Sequence, residues 1–566
     1  MVSATSTVSS LQTIPQEVLE HIAFFSATSE FLGPPAGIAS FLLTCRKLHS
    51  SLSVASNPHL YARIFCFKFD GEPALRRLGS SGAASPALAH ELERRCFYLK
   101  RIRARLDCTT SNNGSQYLDK RYDQEQDPLH HILWMSYMMM IENDGKNERQ
   151  LREYGRMDEW LKDYWFNVMG ASLATRATSI DRWPQNNEHT SLGMWLFWFF
   201  LIPEDFVKNE SMLITVTNMT KLMAQGAHQY PLCSPNWAEF VPRSHSASPP
   251  ISTITHYSHK IEVIHPPISI PAILSYLTLL NNTRPPTTST PHVPLVNPSS
   301  YARQSLEWES IWHRCLGAEF GQDNRLIVSG AFCPGTLEGV WEGIFSYTEF
   351  TAYAALLSGA PPVILHNSLV AQHRQTWKLR EHHLLYYPSP ASSPTSSPSS
   401  SSSSSSFSAA SPLLPGDPLR AWLPPGIKVQ ETSEGVEVWE PGRAESVKYT
   451  RLDKALERGL EGINSSLAPR NKNGGRKLSG VRSRDVIITG EGHSAWGQFQ
   501  LIGRIRPTDG LISLSKEYMD GDRGKWLYRG HIVGNMSGNF AGRWRDTLSP
   551  PHVPGYEGCY AMSRRR

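Results

Sequence analysis

Gly339-Val340-Trp341-Glu342-Gly343-Ile344-Phe345-Ser346-Tyr347 is the stretch that decides the fold. Trp341, Phe345 and Tyr347 recur at a period of two, the side-chain spacing of a half-buried strand. Gly339 and Gly343 interrupt the same face, and glycine inside a strand marks a close approach or a barrel bend. The pattern repeats downstream, predicting strands at 485–489, 498–506, 510–515, 525–533, 539–545 and 558–562. Phe499, Leu501 and Ile505 share a face with Gly503. Phe540 and Trp544 share one with Gly542, which leaves Ala541, Arg543 and Arg545 opposite. Ile427 and Val429, then Glu434-Gly435, then Val436 and Val438, read as a hairpin with a tight turn. Eight or more antiparallel strands of this kind fit an up-and-down barrel, whose closure removes exposed edges.

Working outward, the periodicity from the N-terminus to about residue 225 is helical, so the chain reads as α+β, a helical half followed by a β-rich half. The apolar runs 131–141 (HILWMSYMMMI), 160–169 (WLKDYWFNVM) and 192–202 (LGMWLFWFFLI) predict core helices, their Met and Trp stripes being packing material. The last is the longest apolar stretch and falls short of the ~20 residues of a membrane span. The segment 87–107 predicts a helix with Leu88, Leu92, Cys96, Leu99 and Ile102 inward. Its other face carries Arg94, Arg95, Lys100, Arg101, Arg103 and Arg105, either a solvated connector or a groove for phosphate.

The 566 residues carry 56 Lys and Arg against 51 Asp and Glu, a net charge of +5 that does not suggest a nucleic-acid-driven protein. The 40 prolines, about 7% against a usual ~5%, concentrate in uncharged blocks. No Asp, Glu, Lys or Arg lies between Glu381 and Asp417, where PSPASSPTSSPSSSSSSSSFSAASP cannot bury enough apolar surface to order itself. Stretches 283–300 and 464–483 read as further loops. Eight scattered cysteines without a CxxC, and a start lacking a basic region before an apolar core, lead us to expect free thiols and no secretory leader.

The sharpest N-terminal signal lies in residues 10–66. Thr13-Ile14-Pro15-Gln16 predicts a capped helix start, with Ile14, Val18, Leu19 and Ile22 on one face. After the break FLGPPAG (31–37), a second helix carries Ile38, Leu42, Cys45, Leu48 and Leu52 on one stripe, and Asn57-Pro58 opens a third. Three short helices are marginal alone, so their exposed apolar positions want a partner. The pattern Ile14-Pro15-x-Glu17-Val18-Leu19-x-x-Ile22, then Leu42-Leu43-Thr44-Cys45-Arg46-Lys47-Leu48, resembles an F-box, and the continuation through Asn57–Phe65, Lys68-Phe69-Asp70 and Arg76-Arg77 resembles fungal F-box proteins. The chain departs from the family pattern in having Ile14 where the consensus has Leu, and the FLGPPAG loop where the consensus has an acidic-Leu pair. The resemblance implies docking of a Skp1-type adapter, and through it a cullin–RING ubiquitin ligase, by Ile14, Pro15, Val18, Leu19, Ile22, Leu43, Cys45 and Arg46.

In the β half, Gly339-x-Trp341 resembles the opening strand of lipocalin-like (calycin-like) barrels. Together with Thr489-Gly490, Trp496-Gly497, Gly503-Arg504-Ile505-Arg506 and Asp509-Gly510-Leu511-Ile512, it resembles the C-terminal barrel of F-box-only proteins that recognise cyclin-type substrates. The resulting expectation is an F-box at 8–66, a helical spacer at 67–230, an irregular Pro-rich connection at 231–336, and a substrate-binding barrel at 337–566 with disordered insertions at 388–416 and 464–483. Trp341, Phe345, Arg504, Arg506 and Trp544 are the candidate contacts to an unknown substrate protein, although Arg504, Arg506, Arg543 and Arg545 also read as a solvated exterior.

No P-loop, Rossmann fingerprint, GxSxG elbow or HExxH is present. His256, His259 and His265 lack the partners of a zinc site, and no cysteine has an electropositive setting. The expectation is a non-catalytic receptor subunit without metal or cofactor, in the cytoplasm or nucleus, engaging no membrane. The competing expectation is a lipocalin-like barrel holding a small apolar ligand: an open lumen lined by Trp341, Phe345, Phe499 and Trp544 favours it, and a filled lumen opposes it. Nucleic-acid binding through the 87–107 helix and Arg564-Arg565-Arg566 ranks third.

Overall fold

The computed structural model describes residues 14–110, 127–241, 250–282, 304–317, 328, 330–387, 411–462, 481–521, 523–535 and 537–565. Thr13, the loop 283–300, most of both expected insertions, and Arg566 lie outside the described residues.

Alternation does build the C-terminal half. A separate hairpin, β1 (Ile251–His256) and β2 (His259–Ile264), precedes it. Then come β3 (Gly339–Thr348), β4 (Val370–Tyr386), β5 (Lys428–Glu431), β6 (Gly435–Trp439), β7 (Val447–Arg451), β8 (Arg482–Ser494), β9 (Gly497–Ile505), β10 (Ile512–Tyr518), β11 (Lys525–Val533), β12 (Asn539–Asp546) and β13 (Glu557–Arg564). They form one antiparallel sheet in the order β3-β13-β12-β11-β10-β9-β8-β4-β7-β6-β5, and a β3–β4 pairing closes eight of them into a barrel. β4 pairs with β3 only as far as Leu379, and β7 meets β4 beyond that at His382 and His383. The expected hairpin therefore exists as β5 and β6, but it extends the sheet outside the barrel. Two glycines show why the strands need them: a Cβ on Gly343 would lie 2.2 Å from the Ala561 carbonyl oxygen, and one on Gly503 would lie 1.9 Å from that of Ser513.

At the N-terminus, helix Gln16–Thr28 starts after Pro15 without a side-chain cap. The expected second helix is two, Ala36–Thr44 and Arg46–Leu52, because Cys45 between them is extended. Helix Pro58–Lys68 has the expected cap, Asn57 Oδ1 accepting from Leu60 N at 3.1 Å. These helices are fastened to the middle of the chain. Lys68 Nζ donates to the Glu30 carbonyl at 2.6 Å, Gln150 Nε2 to that of Phe31 at 2.9 Å, and the Asp70 carboxylate accepts from Asn147 N at 2.9 Å.

The apolar runs form helices Pro128–Ile141, Met157–Phe166 and Glu188–Phe200, the last opened by a capping box between Asn187 and Thr190 and buried from Thr190 onward. Segment 231–336 is not simply irregular. It contains the β1–β2 hairpin and helix Ser269–Asn282, whose Ile270, Ile273, Leu274 and Leu277 are buried. One hydrophobic core runs from Leu19 through these helices to Ala541, Cys559 and Ala561 on the outer face of β12 and β13. The helical half therefore packs directly on the barrel wall.

Candidate functional sites: the barrel mouth and the N-terminal apolar face

The inward face of the barrel carries its own core. Trp341, Trp377, Phe540 and Tyr560 interlock there, with ring centroids of Trp341–Phe540 at 6.3 Å, Trp377–Phe540 at 5.9 Å and Phe540–Tyr560 at 5.3 Å. That end is sealed by the chain entering β3, where the buried Glu381 carboxylate accepts from Leu337 N at 2.6 Å and Gly335 N at 2.7 Å. Trp341 therefore fills the lumen rather than lining a contact surface.

The opposite end is open. A cavity of about 100 Å³ has Phe345, Tyr518, Tyr528 and Trp544 as walls and the half-buried Tyr347, Trp496, Trp526 and Tyr556 as its rim. The lumen is thus filled at one end and hollow at the other. Phe345 and Trp544 line the hollow, and Trp341 does not.

Lys516 also lines this cavity and is 1% exposed. Its placement follows from strand period: on β10, Ile512, Leu514, Lys516 and Tyr518 alternate with Ser513, Ser515 and Glu517, and Ile512, Leu514 and Tyr518 belong to the inward core. The ammonium sits 3.8 Å from the Phe499 ring centroid, 4.7 Å from that of Tyr518, and 5.5 Å from those of Phe345 and Tyr528. Its hydrogen bond is a long one, 3.4 Å to Gln375 Oε1. Burial pushes its pKa down to about 7. Gln375 Nε2, Trp377 Nε1 and Tyr560 OH are buried in the lumen without hydrogen-bond partners. Sequence reading passed over Lys516, although the alternation of 512–518 alone places it on the apolar face.

The barrel arginines lie elsewhere. Arg504, Arg506, Arg543 and Arg545 do point outward, but they are buried beneath segments laid over the wall. Arg504 pairs with Asp485 (Nη2–Oδ2 2.7 Å, Nε–Oδ1 3.2 Å), donates to the Leu414 and Trp422 carbonyls at 3.0 and 2.9 Å, and faces the Phe240 ring at 4.1 Å. Arg506 pairs with Asp509 and donates to the carbonyls of Asn236 and Glu239, both at 2.8 Å. Arg543 donates to the carbonyls of Met223 and Ala224, and Arg545 to that of Ser549. The expected roles as substrate contacts (Arg504, Arg506) or solvated exterior are corrected: these side chains strap loops and the helical half to the barrel, because their five donors match clustered carbonyls.

The second surface is on the N-terminal helices. In Gln16–Thr28, Leu19 (3% exposed), Ala23 and Ala27 face the core. The neighbouring stripe Val18, Ile22 and Phe25 is bare at 46, 39 and 67%, and Leu43 on the next helix is bare at 86%. Pro15 and Arg46 are exposed, while Ile14 and Cys45 are partly buried against the core. Seven of the eight expected adapter contacts thus have exposed or partly exposed side chains, and Leu19 is withdrawn as a core residue.

The basic helix Ser85–Arg103 is not a bare cationic face. Arg94 and Arg95 pair with Glu91, Arg95 also with Glu142 at 3.0 Å, and Arg101 with Asp107 at 2.9 Å. His256 Nε2 joins Glu142 at 2.7 Å. His382 and His383 are packed inside, against Thr489 and Glu381. Burial raises the thiols of Cys96, Cys108 and Cys333 to about 12, so these three are held as thiols. Among the described residues, His130, Glu188 and His189 place ligand atoms within 4.8 Å of one another, with His189 also 3.3 Å from Asp127. No described helix is long and apolar enough to cross a membrane.

No protein-family model, curated protein or solved structure matches this chain.

Proposed function

We propose that this chain is a substrate-recognition subunit of an SCF-type ubiquitin ligase, with an F-box at its N-terminus and a lipocalin-like barrel at its C-terminus. The observation that carries the reading is the bare apolar stripe of Val18, Ile22 and Phe25, joined by Leu43, on helices whose other faces are committed to the core. A helix that is apolar on two sides has one side more than its own fold uses. Val18, Ile22 and Leu43 are positions that the F-box resemblance assigns to a Skp1-type adapter, and Phe25 extends the same bare stripe. The chain itself performs no covalent step in this reading. It holds a target protein near a charged conjugating enzyme and raises the effective concentration of the target's lysines. The fastening of the N-terminal helices through Lys68, Asp70 and Gln150 suits that task, because it fixes the geometry between adapter and barrel. The adapter and the free thiols fit a cytoplasmic or nuclear setting.

Co-purification with a Skp1-type adapter tests the reading, with Ile22→Asp plus Leu43→Asp as the variant. Both positions are exposed, so the variant folds, and adapter capture is expected to fall at least about 100-fold, the loss of two interface anchors. Equal capture of variant and wild type, or no capture of either, refutes the reading.

A further inference from the structure

We propose that the barrel mouth binds a small aryl carboxylate, its carboxylate paired with the Lys516 ammonium and its ring held among the aromatic side chains of the rim. An aromatic box with a cation at its centre ordinarily reads as a receptor for a ligand cation. Here the box is already filled by the chain's own ammonium, 3.8 Å from the Phe499 ring centroid and 4.7 Å from that of Tyr518. Among the described residues, the box holds no anion.

Every strand around Lys516 supplies something neutral. β9 brings Phe499, β11 Tyr528, β3 Phe345 and β4 Gln375. The phenols do not serve as anions: burial raises Tyr518 and Tyr528, and raises Tyr556 at the rim to about 12. The charged and titratable groups just beyond are His373, stacked beside Tyr347 and itself lowered by burial, and Arg523, 5.8 Å from the Tyr518 ring and paired with Asp520. Glu517 is on the outward face and pairs with Lys525 at 3.0 Å. Among the described residues no carboxylate offsets the Lys516 charge, and burial is the cause of its lowered pKa of about 7.

The vacant acceptor position is accompanied by a vacant donor. Gln375 Nε2 is buried without a partner on the side chain whose Oε1 is 3.4 Å from Lys516 Nζ. Lys516 lines the cavity and supplies the charged donor to a carboxylate, while Gln375 is not a lining side chain and lies one hydrogen bond beyond the ammonium. The remaining walls are aromatic, and because the cavity of about 100 Å³ opens between the rim side chains, a ring can enter it without being wholly enclosed. A neutral apolar ligand leaves the Lys516 ammonium without an anion, and a cation is repelled.

Benzoate and its neutral analogue benzyl alcohol are the probes, titrated into the full chain by calorimetry and by tryptophan fluorescence. Wild type is expected to bind benzoate at least tenfold more tightly than benzyl alcohol at pH 7. Lys516→Met is expected to lose at least tenfold for benzoate and to retain benzyl alcohol. On wild type alone, benzoate binding at pH 8 is expected to take up close to one proton, measured in buffers of different ionisation enthalpy, because pairing recharges an amine that is mostly neutral there. No benzoate binding at millimolar concentration, no proton uptake, or equal affinity for the two probes overturns the proposal. These measurements use the chain without an adapter, so their failure leaves the ligase reading standing, and the converse holds.

Discussion

Lys516 carries a cost that can be measured without any ligand. Its pKa falls from 10.5 to about 7 because burial disfavours the ammonium and no described carboxylate compensates. A base with a folded-state pKa below its unfolded value binds more protons when unfolded, so its burial penalty is largest at low pH and fades as pH rises through the unfolded value. With about 1.36 kcal/mol per pKa unit, the penalty is about 5 kcal/mol at pH 6 and about 2 kcal/mol at pH 9. Lys516→Met removes it and keeps an unbranched apolar chain against Phe499. The variant is therefore expected to be more stable than wild type at pH 6, with an advantage that shrinks by about 3 kcal/mol between pH 6 and pH 9. Urea unfolding of both proteins at several pH values, read by hydrogen exchange of the β10 and β11 amides, measures this difference. An advantage that does not change between pH 6 and pH 9 would refute a buried, unpaired ammonium and the cavity chemistry built on it.

Two further outcomes follow from buried charges. Arg504→Met leaves the Asp485 carboxylate buried without its guanidinium and the Leu414 and Trp422 carbonyls without donors, which costs about 3–5 kcal/mol. Faster exchange of Gly416 N and Asp417 N, bonded to the Trp422 and Leu423 carbonyls, reports the loosened strap, and adding Asp485→Leu is expected to restore part of the loss. Burial raises the Glu142 carboxyl, but His256, Arg95 and Arg77 outweigh it and bring the pKa down to about 2 from 4.5. The stability this contributes is whole above pH 4.5 and is lost as pH falls towards 2. An acid-unfolding curve should therefore lose its steepest limb in Glu142→Gln, and an unchanged curve would count against the pairing.

Much of the barrel was legible because strand alternation is local. The run 525–533 is recovered residue for residue as β11, and 539–545 is within one residue of β12. What covers each strand face is not local. Arg504 and Arg543 alternate outward as the sequence says, yet the outward face is roofed by segments up to 320 residues away. The cationic helix was half legible: Glu91 lies four residues before Arg95 on the same helix and Asp107 six after Arg101, whereas Glu142 reaches Arg95 from 47 residues downstream. In the N-terminal helix, Leu19 and Val18 are adjacent apolar residues on different faces, and only packing distinguishes the buried one from the bare one. Helix Ser269–Asn282 had a readable stripe in Ile270, Ile273, Leu274 and Leu277, obscured by the proline-rich composition around it. Lys516 lies on the period-two face of β10 but one residue beyond the strand expected at 510–515.

The central claim is that the bare N-terminal stripe docks an adapter. Its most direct measurement is the affinity of a purified Skp1-type adapter for this chain and for the Ile22→Asp, Leu43→Asp variant, both shown to be folded by circular dichroism. Saturable binding by wild type, weakened at least about 100-fold in the variant, is the expected result. Absence of wild-type binding, or equal affinity in the two, contradicts it.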